Sequence, residues 1–390
     1  MAESGERDAV RRQHLGYYLA LAEQAGPELD GEQQHAWLDR LRQDYDNFRA
    51  ALGWIIEQDT AELGLRLVCA LEGFWFLSGY FSEGRRWATA LVARAHATLP
   101  AELHAQALRI AGSMAWQQGD YTVARGPLEE SAAIYRRLGD KRNLARTLNP
   151  LGRALLFQGE HAQARVLLEE NTALSQEIGD HGELALSLHG RAYVAMDQAD
   201  YLAARAFLEQ SLPIYQTLGS QWGIAQTLNH LGDIARCKGE YERASALYQE
   251  SLTLFQAQGI QVEIAAVLHN LGYVALAMGD QQHTRAYFEE SLALHREQGN
   301  WPGILEGLAG FGALVAAQGQ PRRAAVLFGA IAALRATLGA PMWPAERVEY
   351  ERHLTGVRAA LDAAAWQAAL AEGGEMTLEE AIAYVLGEDD

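Results

Sequence analysis

Residues 141–180 read KRNLARTLNPLGRALLFQGEHAQARVLLEENTALSQEIGD. Leu144, Leu148, Leu151 and Leu155 step by four, three and four, which lays one apolar stripe along a helix. The stripe stops at Gly159. Glu160 opens a second run through Ala164, Leu168, Asn171 and Leu174, which closes at Ile178-Gly179. Glycine past a last turn supplies a left-handed stop, and an acid before a first turn suits the helix dipole. Asp140, after Gly139, is placed to cap the first helix. The stretch predicts a helical hairpin.

Working outward, the same hairpin recurs every 40 residues. Its Gly-acid step stands at Gly119-Asp120, Gly159-Glu160, Gly239-Glu240 and Gly279-Asp280, with weaker copies at Gly79-Tyr80, Ala199-Asp200 and Gly319-Gln320. A second glycine series lies midway, at Gly139, Gly179, Gly219, Gly259, Gly299 and Gly339. A small residue recurs in the first helix: Gly112, Gly152, Ala192, Gly232, Gly272 and Gly312. Another opens the second helix at Gly84, Ala124, Ala164, Ala204, Ala244 and Ala324, with Thr284 the exception. Four residues on comes a large apolar one (Leu128, Leu168, Leu208, Tyr248, Phe288, Phe328), and three further on Ser131, Asn171, Ser211, Ser251 or Ser291. Small residues let two helices approach, and the large one fills the groove between them. Stacked hairpins of this kind make an all-α solenoid.

Composition bounds the rest. The chain has 390 residues, suited to a linear array, and is 49% hydrophobic, which excludes general disorder. No apolar stretch approaches the roughly 18 residues that span a bilayer, and the first residues lack a signal-peptide core, so a cytoplasmic location is expected. Cys69 and Cys237 read as buried free thiols. A net charge of −18 argues against nucleic acid or an anionic membrane as a direct partner. H-E-x-x-H, G-x-S-x-G and C-x-x-C are absent, so no enzyme, metal or cofactor is expected. Gly307-Leu-Ala-Gly310-Phe-Gly312 imitates a phosphate loop but falls within a helix and reads as close packing.

The repeat resembles the tetratricopeptide (TPR) pattern: small residue, twelve positions, small residue, four positions, large apolar residue. Here it is stretched by longer helices and covers residues 61–340 in seven units. The first unit is the poorest match, because Glu72 stands where a small residue belongs. The resemblance implies a right-handed superhelix.

Residues 1–60 leave the register and read as two helices, 6–25 and 31–58, separated after Gly26-Pro27. With Arg12-Gln13-His14, Tyr17-Tyr18, Trp37-Leu38, Asp46-Asn47 and Trp54, they resemble the segment joining ATPase to TPR array in bacterial STAND regulators, the signal-transduction ATPases of AfsR and maltose-activator type. Residues 341–390, with Ala345-Glu346-Arg347, Trp366 and a capping box at Thr377 and Glu380, resemble their tail and are expected to shield the last repeat. The nucleotide loop G-x-x-x-x-G-K-[ST] does not occur in the sequence, so the resemblance is to the sensor portion alone.

TPR arrays bind along the concave face lined by their first helices, and the register picks out its residues. They are Arg109, Asn149, His189, Asn229 and His269 in one series; His230 and Asn270 in the next; Arg153, Tyr193, Asp233 and Tyr273; and Arg146 with Gln226. Asparagine can clamp a peptide unit's N–H and C=O together. Histidine and tyrosine offer flat contact area at low entropy cost. Arg146 and Arg153, seven residues apart, suit a carboxylate or phosphate. Another reading has these polar residues bonding only to one another across adjacent helices. Trp116 is placed to reach the same groove. Pro127, Pro150 and Pro213 fall inside expected helices, with Pro150 beside Asn149.

The expected function is ligand sensing: a peptide, protein or small-molecule inducer on the concave surface, relayed to an ATPase module of the same or a partner polypeptide. The alternative is a free-standing TPR adaptor for extended peptides.

Overall fold

The computed structural model describes residues 2–29, 33–58, 60–94, 99–338 and 342–387. Gly339, the expected start at residue 31 and the boundary at 340–341 lie outside the described residues. The chain folds as two compact all-α units, Met1–Ile178 and Gly179–Asp390.

The first unit opens with α1 (Ala2–Glu28), α2 (Gln34–Gln43) and α3 (Tyr45–Glu57). Three helices thus stand where two were expected. Gly26-Pro27 does not end α1, which runs on to Glu28. The second break comes instead at Asp44, whose carbonyl accepts from the N–H groups of Asn47 and Phe48. That turn aims Tyr45 and Phe48 into a core with Leu15, Leu19 and Trp75, where the Trp75 indole donates to Tyr45 Oη at 2.8 Å.

The first repeat is α4 (Ala61–Ala70), α5 (Glu72–Ser78) and α6 (Phe81–Val92). Its first helix is interrupted at Leu71, beside the irregular Glu72. Regular hairpins follow: α7 (Ala101–Gln117) with α8 (Tyr121–Leu138), and α9 (Lys141–Phe157) with α10 (His161–Ile178).

The second unit repeats the plan with α11 (His181–Asp197), α12 (Tyr201–Leu218), α13 (Gln221–Cys237), α14 (Tyr241–Gln258), α15 (Gln261–Ala277), α16 (Gln281–Gln298), α17 (Trp301–Ala317) and α18 (Pro321–Leu338). It ends in α19 (Pro344–Ala359), α20 (Ala363–Gly374) and α21 (Leu378–Leu386).

Each periodic residue has a physical task. Asp120, Asp140, Asp180, Asp200, Ser220, Asp280 and Asn300 accept from the backbone N–H three residues on, whereas Glu240 does not, its side chain being engaged by Lys238 and Arg243. The stop glycines hold positive φ, from Gly79 to Gly319, and Ala199 takes the same conformation at φ 58°. The small residue of each first helix meets the large one of the second. A Cβ on Gly112, Gly152, Gly232 or Gly272 would lie 2.4–2.8 Å from Leu128, Leu168, Tyr248 or Phe288. The serine completes the clasp: Ser131, Ser251 and Ser291 each donate to a first-helix carbonyl, of Ala105, Ala225 and Ala265, at 2.8 Å. Pro127, Pro150 and Pro213 sit inside α8, α9 and α12 without splitting them.

Candidate functional site: the first-helix faces

All sequence-selected candidates except Arg146 and Arg153 are buried. Each unit holds its own set.

In the first unit, Arg109 is committed. Its guanidinium forks onto the Glu72 carboxylate at 2.6 and 2.7 Å. Burial disfavours its charge, but the carboxylate outweighs that and holds the guanidinium firmly protonated. Arg109 is therefore a partner of the irregular Glu72 rather than an open ligand contact. Asn149 is 7% exposed, and its Oδ1 has no hydrogen-bond partner among the described residues. Arg153, one turn on along α9, lies over the Trp116 ring at 4.1 Å from its centroid. Arg146, one turn back, is exposed. An acceptor facing no donor, with two arginines on the same helix, suits an N–H donor that also carries negative charge.

In the second unit Tyr193, Asn229, His230, Asp233 and Asn270 join one polar network, with His189, Gln226, His269 and Tyr273 buried in the same helices' faces. His189 Nε2 lies 3.1 Å from Ser211 Oγ and 2.9 Å from Thr227 Oγ1. His230 meets Tyr193 Oη at 2.5 Å and Asp233 at 3.3 Å. Asn270 Nδ2 donates to Asn229 Oδ1 at 3.1 Å and to Asp233 Oδ1 at 3.2 Å. His269 and Tyr273 pack edge to face, 5.0 Å between ring centroids. Gln226 is buried in α13.

The centre of this network is Arg236, which lies outside the register of the expected binding residues. Arg236 is 0% exposed. Its Nε donates to Tyr248 Oη at 3.2 Å, and Nη2 donates to Asn270 Oδ1 at 3.3 Å and to Glu346 Oε1 at 2.6 Å. Tyr248 Oη in turn donates to Asp233 Oδ1 at 2.8 Å. The signal was present in the sequence: four residues past the small residue, the other copies in this unit are Met196, Leu276 and Ala316. A lone base in an apolar register marks a site.

Glu346 belongs to α19, which packs on α11, α13, α17 and α18. Its Oε2 lies 2.7 Å from His269 Nε2. Burial would raise its pKa, but Arg236 and then His269 hold it well below the usual carboxylate range. Glu349, one turn on, is 3% exposed, accepts from Arg352 and lies 4.0 Å from Arg236. Trp343 packs on Tyr193, Arg347 donates to Asp197 at 2.6 Å, and His353 stacks on Tyr273. Nearby Glu306 is pushed upward in pKa by burial and by the charge of Glu346. The tail thus does more than shield the last repeat: α19 lies on the first-helix face itself. Among the described residues no cluster of three metal-ligating side chains occurs, and no helix is long and apolar enough to cross a membrane.

Residues 103–177 and 183–257 match a family model described as tetratricopeptide repeat, and residues 264–297 match a second one. The hairpins that those residues span are tetratricopeptide repeats, and the fold is an all-α TPR solenoid. TPR units are protein-interaction scaffolds.

Among particular proteins, the chain is 28% identical over 159 residues to provisionally named HTH-type transcriptional regulators of Mycobacterium tuberculosis and Mycobacterium bovis. That stretch is 39% of this chain and 18% of each relative, so the chain matches about a fifth of their length. In structure it is similar to a Rap protein complexed with competence and sporulation factor, at 12% identity and TM-score 0.58, covering 94% of this chain and 99% of that one. It is also similar to a STAND protein with a tetratricopeptide repeat sensor from Pyrococcus horikoshii, at 15% identity and TM-score 0.51, covering 88% and 54%.

Proposed function

We propose that the chain is the ligand-sensing region of a STAND-type regulator, acting by binding rather than by turnover and working in the cytoplasm. One observation carries this reading: the first-helix face of the second unit already grips a helical segment through directional polar contacts, centred on Glu346. A face that orients one peptide segment has the chemistry to orient another.

The first unit supplies Arg146, Asn149 and Arg153 for a ligand's N–H and anionic groups. Residues 1–60 serve as the joint to an ATPase module, residues 61–340 as the array and residues 341–390 as the tail. Two likenesses support the reading: the array resembles one named as a STAND protein with a tetratricopeptide repeat sensor and another solved with competence and sporulation factor. The inducer, a peptide, protein or small molecule, works by population shift, binding one form of the array better and biasing how it holds the ATPase. A free-standing peptide adaptor is the alternative, which an upstream ATPase on the same reading frame would dismiss.

The test is ligand capture from source-cell extract on immobilised chain, comparing wild type with Arg146→Ala/Asn149→Ala. The reading expects a molecule retained by wild type and lost on the variant, with the helical melting curve unchanged. Identical retained sets would overturn it.

A further inference from the structure

The second unit has two different kinds of contact at its tail. α20 and α21 cover α18 with apolar side chains, including Trp366, Ala369, Ile382 and Val385. Their backbones come close enough that a Cβ on Gly329 would meet the Leu370 carbonyl oxygen at 2.5 Å. That contact has the character of a domain core. α19 is different. Beside Pro344, Ala345 and Val357, and the half-buried Tyr350 and Leu354, its buried face includes two carboxylates, Glu346 and Glu349.

Much of the receptor for Glu346 is supplied by the array itself. Tyr248, Asn270 and Asp233 fix the Arg236 guanidinium from the array's own helices. Asp233 Oδ1, 3.9 Å from Arg236, remains as its counter-ion when Glu346 is elsewhere. A buried guanidinium held by such a frame is a preformed carboxylate site, since its fork matches two carboxylate oxygens and its ordering cost is already met. Replacing one carboxylate by another in that site exchanges like for like, so the large cost of stranding a buried charge is avoided.

We infer that Arg236 and His269 form a carboxylate-recognition site on the first-helix face, that α19 occupies it as a tethered ligand through Glu346, and that the partner is an acidic peptide segment which displaces α19. This deepens the sensing proposal and rests on its choice of face. With the chain at net −18, such a partner is not drawn in by the general field; the buried guanidinium and the His269 ring do the selecting at short range.

Hydrogen exchange on the full chain tests the tether. The expected result is that amides of residues 344–359 exchange at least about ten-fold faster than those of α20 and α21, and that Glu346→Gln raises α19 exchange further while leaving α20 and α21 unchanged. Exchange of α19 in step with α20 and α21 in wild type would overturn it, and that measurement needs no variant to fold. Fluorescence anisotropy tests the site, using a labelled peptide of residues 344–359 added to the full chain. It should bind the Glu346→Gln chain at least about ten-fold more tightly than wild type, and the peptide itself carrying Glu346→Gln should lose that gain. Equal binding of the two peptides would overturn carboxylate recognition. The wider proposal fails separately: if the peptide binds as expected but no cellular ligand depends on Arg146 and Asn149, this site stands and the sensing function falls.

Discussion

A single methyl group decides opposite outcomes at two positions. Ala199 is a non-glycine residue with positive φ, in a register where glycine otherwise stands. Ala199→Gly relieves the left-handed strain and should raise stability by about 1 kcal/mol, read from the midpoint of urea unfolding. Gly272 is the reverse case. A Cβ there would fall 2.4 Å from the buried Phe288 ring, and that ring cannot retreat. Gly272→Ala should cost about 2 kcal/mol in the same assay. Ala192 opposite Leu208 holds a methyl at the same register position. These positions were legible in the sequence because each repeats its role in every copy. Arg236 shows in the sequence only as a departure from its register, because its role occurs once.

At the scale of elements, hairpin joints and α19 differ in what holds them. Joints are set by short-range rules: a capping acid, a left-handed stop, a serine clasp. Such rules leave a periodic trace, so α7 to α18 could be placed from spacing. The break at Asp44 falls outside the periodic register, and the docking of α19 depends on a contact far along the chain: Arg236 stands out in its register, but spacing does not say that Glu346 meets it. Two histidines tie element packing to pH. Burial, and after it the charge of His269, lowers the pKa of His295 in α16 to about 3; burial, then Arg352, lowers that of His353 in α19 to about 4. Both are neutral when folded, and the unfolded chain takes up their protons first. Their contribution is complete above about pH 6.5 and is lost as pH falls toward 4 and then 3, at about 1.4 kcal/mol per pH unit for each. Urea midpoints between pH 7 and 4.5 should fall in wild type. His295→Gln should remove about half of the slope that the two histidines contribute; an unchanged slope would show that His295 is protonated in the fold.

For the whole molecule, the caps matter more than any one hairpin, because an end repeat has a face with no neighbour. A chain ending at Leu361 keeps α19 but loses α20 and α21, exposing α18 around Phe328, Gly329 and Ile331. It should bind a hydrophobic dye and aggregate at concentrations where the full chain stays dispersed. Glu346→Gln in the full chain should do neither. Equal dispersion of the truncated and full chains would mean that α19 covers the end after all.

A repetitive surface has a phase problem. A ligand laid along near-identical hairpins meets almost the same steps if it slips by one repeat, so the pattern that makes the array easy to build also blurs where anything on it should stop. Arg236, a charge that appears in one copy of its register, removes that ambiguity in the second unit. It acts as an origin mark on an otherwise even scale, and a partner with one carboxylate can stop in one place only.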